Sequence, residues 1–126
     1  MAAETRVVDA SALAALLFGE PRAAVVASRL ANASLAAPTL LRYEIASVCL
    51  KKLSLYPTRQ RVLLKALSVL DEIDLREVEV PADEIVTLAK RKRISVYDAS
   101  YLWLARALEA ELVTLDHKLA RVARKP

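Results

Sequence analysis

Four carboxylates stand where chemistry could be done: Asp9, Glu44, Asp98 and Asp116. Asp9 ends the short β-branched run Thr5–Val8, and Asp116 follows the apolar run Leu112–Leu115. Both therefore fall just past the carboxyl end of an expected strand, where open parallel sheets place their ligands. Asp98 opens an apolar helical stretch. Glu44 lies at the border of a helical apolar stripe, between Leu41 and Val48. Ser11 and Thr114, two residues from Asp9 and Asp116, add a hydroxyl each. Gathered carboxylates repel one another unless they are protonated or a cation sits between them. Oxygen-only ligation suits Mg²⁺ or Mn²⁺ rather than zinc. One or two such ions, about 4 Å apart when paired, can activate a water and stabilise the leaving oxygen of a phosphodiester. Each residue also has a blander reading. The three aspartates stand where a helix N-cap would, and Glu44 alone would be a solvated helix-edge residue. Caps have no reason to gather at one sheet edge, so the set points to a metal site.

The scarce residues exclude other chemistry. Gly19 is the only glycine, which removes phosphate-binding loops, dinucleotide turns and nucleophile elbows together. His117 is the only histidine and Cys49 the only cysteine, so multi-histidine centres, thiolate clusters and internal disulfides are absent. A Ser11–His117–Asp triad lacks any sign of an oxyanion hole. Cys49 reads as a small core residue. Trp103 and the tyrosines read as core or dimer contacts rather than base-stacking platforms.

A chain of 126 residues, 56% apolar, is expected to form a single domain over 1–126 with a sizeable core. No apolar run reaches a membrane span, and no secretory signal is evident, so a soluble, cytoplasmic protein is expected. Net charge is +4, yet seven of the 15 acids fall between Asp71 and Glu84 against Arg76 alone. The remainder is strongly basic, which favours a polyanionic partner.

The elements that must position these residues follow from periodicity and breakers. Strands are expected at Thr5–Val8, Ser34–Ala37, Glu77–Val80 and Leu112–Leu115. Helices are expected at Ser11–Phe18, Ala23–Ala31, Thr39–Leu53, Arg59–Ile73, Pro81–Lys92, Tyr97–Ala110 and Lys118–Ala123, with Thr58 capping the fourth. Strands separated by helices must run parallel with helices on both faces. The expected fold is a three-layer α/β/α sandwich around a parallel sheet of four strands.

The segments Val7–Ser11, Pro38–Ile45, Val96–Tyr101 and Leu112–Asp116 together resemble the PIN-domain ribonucleases, and most of all the VapC toxins of VapBC toxin–antitoxin pairs. The match spans nearly the whole chain in the family's order. The resemblance implies a PIN-like fold, an Mg²⁺- or Mn²⁺-dependent endoribonuclease and a toxin. It makes Asp9, Glu44, Asp98 and Asp116 the metal-binding and catalytic quartet, with Ser11 and Thr114 in support. It also implies a homodimer and a VapB-like antitoxin that sets a basic side chain into the acidic cleft. Many relatives add a fifth, edge strand beyond the point where this sequence reaches Arg124-Lys125-Pro126. Lys90, Arg91, Lys92 and Arg93, just ahead of Asp98, could grip an RNA backbone, as could Arg42; the same four cations could simply offset a helix dipole. Two other functions remain open: a phosphoacceptor domain using Asp9, and a binding module without turnover.

Overall fold

The computed structural model describes residues 3–126. Four strands, β1 (Thr5–Val8), β2 (Ser34–Pro38), β3 (Leu75–Val78) and β4 (Glu111–Val113), alternate with seven α-helices. These are α1 (Ala10–Leu17), α2 (Ala23–Leu30), α3 (Leu41–Leu55), α4 (Gln60–Ser68), α5 (Ala82–Lys92), α6 (Val96–Ala107) and α7 (His117–Ala123). All strand pairs are parallel, in the order β3-β2-β1-β4. Successive residues of a strand point to opposite faces. Val7 and Val8 in β1, Ala36 and Ala37 in β2, and Leu112 and Val113 in β4 are all buried, so helices cover both faces. The fold is the expected α/β/α sandwich. The described residues hold four strands and no fifth.

The main core joins Val7, Val8 and Val113 of the sheet to Leu13, Leu41, Ile45, Tyr101 and Leu104 of the helices. Full burial of each large aliphatic side chain contributes about 1.5–3 kcal/mol relative to exposure. A second cluster, Ile85, Leu88, Ala89, Ala99 and Leu102, fastens α5 to α6. Cys49 is buried, with its Sγ 3.9 Å from the Leu63 carbonyl that ties α3 to α4.

Three expectations need correction. The third strand runs Leu75–Val78, two residues earlier than the alternation at Glu77–Val80 indicates. Pairing decides its extent: β2 offers Leu35 to Leu75 through Pro38 to Val78 and then ends. The expected helix Arg59–Ile73 is instead a 3₁₀ turn at Pro57–Arg59, then α4, then a second 3₁₀ turn at Val69–Glu72. Tightening there buries Leu70 while Asp71 and Glu72 stay in solvent. Thr58 lies inside the first of these turns, and no side chain caps α4.

One glycine must serve several turns, and others substitute for it. Gly19 has φ 64°, but Asn32, Arg93 and Glu109 also adopt positive φ, at 61°, 57° and 50°. Arg93 ends α5 in this left-handed form, and the following Ile94 N–H donates to the Ala89 carbonyl at 3.1 Å. That turn delivers the chain to α6 and Asp98.

Candidate active site

β1 and β4 are neighbours, with Val7 opposite Leu112 and Val8 opposite Val113. Asp9 and the segment Thr114–Asp116 therefore leave the same sheet edge side by side. The Asp9 N–H donates to the Val113 carbonyl at 3.1 Å. Asp9 is only 5% exposed, and internal donors engage both of its oxygens. Oδ1 accepts from the Ser11 hydroxyl at 2.7 Å and from the Ala12 N–H at 3.0 Å. Oδ2 accepts from the Thr114 hydroxyl at 2.5 Å. Ser11 Oγ also accepts from the Leu115 N–H, and Thr114 Oγ1 from the Asp116 N–H, each at 3.0 Å. The two hydroxyls thus stitch the turn after β1 to the turn after β4.

Asp9 and Asp116 are N-caps as well as cluster members: Asp9 caps α1, and Asp116 accepts from the Leu119 N–H to cap α7. Asp98 is no cap. Ser95 caps α6, accepting from the Asp98 N–H at 3.0 Å, which leaves the Asp98 carboxylate clear of that task. Glu44, in the first turn of α3, accepts from the Tyr101 hydroxyl at 2.5 Å through Oε1.

Electrostatics binds the four into one group. Burial pushes the Asp9 carboxyl above the usual range despite the hydrogen bonds that favour its ionised form, and the field of Asp116 adds to the rise. Burial likewise raises Glu44, opposed by the Tyr101 bond and reinforced by Asp9 and Asp98. Asp98 is raised by burial and then by Asp116 and Asp9, with Lys118 as a weaker counterweight. Among the described residues, none of the four joins a salt bridge. No three carboxylate, histidine or cysteine side chains close around a common point there either. The oxygens of Asp9 are held by donors in the turns after β1 and β4 rather than aimed at the other acids. An all-oxygen donor set that joins no salt bridge among the described residues fits a divalent ion.

The proposed RNA-binding cations are placed unequally. Arg42 is ion-paired with Asp71 at 2.8 Å and Glu77 at 2.6 Å, so it ties α3 to the acidic block. Lys92 donates to the Pro126 carbonyl at 2.6 Å, whereas Lys90, Arg91 and Arg93 are exposed. Tyr101 escaped the sequence reading, which treated it as core. Its spacing of three from Asp98 was the one available signal, since that spacing shares a helix face. Tyr43 and Tyr97, at 79% and 61% exposed, are not core residues. A cavity of about 590 Å³ between α5 and α6, lined partly by Trp103, Arg91 and Arg106, contains none of the four acids.

The PIN domain family model matches residues 6–125. The chain belongs to the PIN-domain family. PIN domains are generally nucleases that use divalent metal ions. Among solved structures, this PIN domain is similar to PAE2754 from Pyrobaculum aerophilum, at 30% identity and a TM-score of 0.70. That alignment covers 98% of this chain and 82% of the other. It also shares its fold with VapC20 of Mycobacterium tuberculosis, a sarcin-ricin loop cleaving toxin, at 19% identity and a TM-score of 0.62. There the coverage is 92% and 93%. No curated protein matches the sequence. No described helix is long and apolar enough to cross a membrane.

Proposed function

We propose that this PIN domain is an Mg²⁺- or Mn²⁺-dependent endoribonuclease and the toxin of a VapBC-type pair. The observation that carries the reading is the group of four acids at one sheet edge: their charges help raise the Asp9, Glu44 and Asp98 carboxyl groups, and none joins a salt bridge among the described residues. Asp9, Glu44, Asp98 and Asp116 would hold the ion. Bound there, it would supply a water activated for attack and charge stabilisation at the leaving oxygen. The chain's own part is positional. Ser11 and Thr114 lock Asp9 in the turn, Ser95 frees Asp98 from capping, and the Leu119 N–H orients Asp116. The exposed Lys90, Arg91 and Arg93 would hold the RNA backbone outside the acidic cleft, where free carboxylates repel phosphate.

The partners follow from the same reading: RNA, a second copy of the chain and a VapB-like antitoxin, in the cytoplasm, with residues 1–126 forming one domain. Exposed Leu50, Leu55, Tyr56 and Val62 on α3, α4 and the turn between them supply apolar surface for such contacts. The test is incubation of purified protein with single-stranded RNA and Mn²⁺, with and without EDTA, beside Asp98→Asn. Cleavage by the wild type alone, abolished by EDTA, supports the reading. RNA binding without cleavage would mark a binding module instead. The phosphoacceptor alternative is disfavoured because its phosphatase form needs a second acid two residues after Asp9, where this chain has Ser11.

A further inference from the structure

Glu44 differs from the other three acids in how it is held. Asp9 and Asp116 are fixed by their own turns, and Asp98 sits in the first turn of a capped helix. Glu44 is on a longer stem with more rotamers to restrain. Among the described residues, the Tyr101 hydroxyl is its only hydrogen-bond donor, at 2.5 Å. Tyr101 is 2% exposed and seated in the main core, so its ring is immobile. It lies three residues beyond Asp98 on α6. One rigid side chain thus bonds Glu44 from the helix that carries Asp98.

We propose that Tyr101 is a positioning residue for the metal site. Its hydroxyl fixes Oε1 of Glu44 at a set distance from Asp98 and Asp9, leaving Oε2 as the oxygen that binds a divalent ion. This rests on the metal-dependent reading above. A competing role is purely structural: a buried phenol needs an acceptor, and Glu44 supplies one. The two differ in what removing the hydroxyl does. Partners that orient a metal ligand are worth about 10–100-fold in metal affinity.

The experiment is Mn²⁺ titration, read by electron paramagnetic resonance of the free ion, on wild type, Tyr101→Phe, Glu44→Ala and the double variant. Tyr101→Phe is expected to weaken Mn²⁺ binding about 10–100-fold, and to add nothing once Glu44 is Ala. Unchanged affinity in Tyr101→Phe, or the same loss in both backgrounds, would overturn the proposal. A folded wild type that binds no Mn²⁺ would overturn the metal reading itself, and this proposal with it. Should Tyr101→Phe not fold, the pair is read from its other side. Glu44→Gln keeps an acceptor for the phenol and is expected to melt above Glu44→Ala, while both lose Mn²⁺ affinity. Equal melting temperatures would show that the bond holds nothing in place.

Discussion

At Asp98, burial and two neighbouring aspartates work against ionisation and outweigh Lys118 and Ser95, which favour the charge. Asp98→Asn is therefore expected to abolish RNA cleavage yet leave or raise the melting temperature in metal-free buffer. Because Ser95 caps the helix, loss of the carboxylate removes no cap. The sign of the pH dependence follows. Asp9, Glu44 and Asp98 all have carboxyl groups raised above ordinary values in the native state. In strong acid both folded and unfolded forms are protonated, and the raised values cost nothing. As pH climbs past the ordinary carboxylate range, the unfolded chain releases these protons first, and stability falls until the native groups ionise too. Metal-free wild type should thus lose melting temperature between mildly acidic and neutral buffer more steeply than Asp98→Asn. Identical slopes by scanning calorimetry would contradict this. Thr114→Val tests the opposite kind of contact. It removes a donor to a buried carboxylate, so urea unfolding should show a loss of about 1–3 kcal/mol.

At the scale of elements, the cations divide by their neighbours. Neutralising Lys90, Arg91, Lys92 and Arg93 should flatten the salt dependence of RNA affinity in an Asp98→Asn background, because fewer counterions are released. Arg42→Ala should leave that slope nearly unchanged, since Asp71 and Glu77 already satisfy its guanidinium. Filter binding across a salt series measures both. Arg42 also marks where sequence reading stops. The elements carrying Asp9, Glu44 and Asp116 were legible because apolar periodicity and proline breakers are local signals. So was the parallel sheet, which follows from alternation alone. What a cation faces depends on distant segments, and nothing near position 42 announces Asp71 or Glu77. The 3₁₀ turn at Val69–Glu72 escaped for a similar reason. Its apolar spacing reads as helix, and only the fit of Leu70 into the core tightens it. Tyr101 looked like core and is core; its hydroxyl's partner on α3 had no signature in the sequence.

For the whole molecule, the apolar side chains left in solvent set the expectation for assembly. Six of them, Tyr43, Leu50, Leu55, Tyr56, Val62 and Leu64, lie on α3, α4 and the turn between them. Patches of this kind on a small domain mark places where other chains sit. Light scattering is expected to show a dimer, and a strict monomer at high concentration would count against it.

The hydroxyl of Thr114 reaches Asp9 across 105 positions of the chain. The turn after β1 thus acquires its final shape only when β4 has docked beside it. During synthesis the first strand leaves the ribosome long before the fourth, and a contact of such long range forms late. A growing chain therefore carries Asp9 without the neighbours that hold it. On the proposed ribonuclease reading, that delay would protect: the unfinished chain could not assemble the cleft beside the message that encodes it. On the same reading the hazard would begin only at release, when an antitoxin made beforehand could cover the completed site.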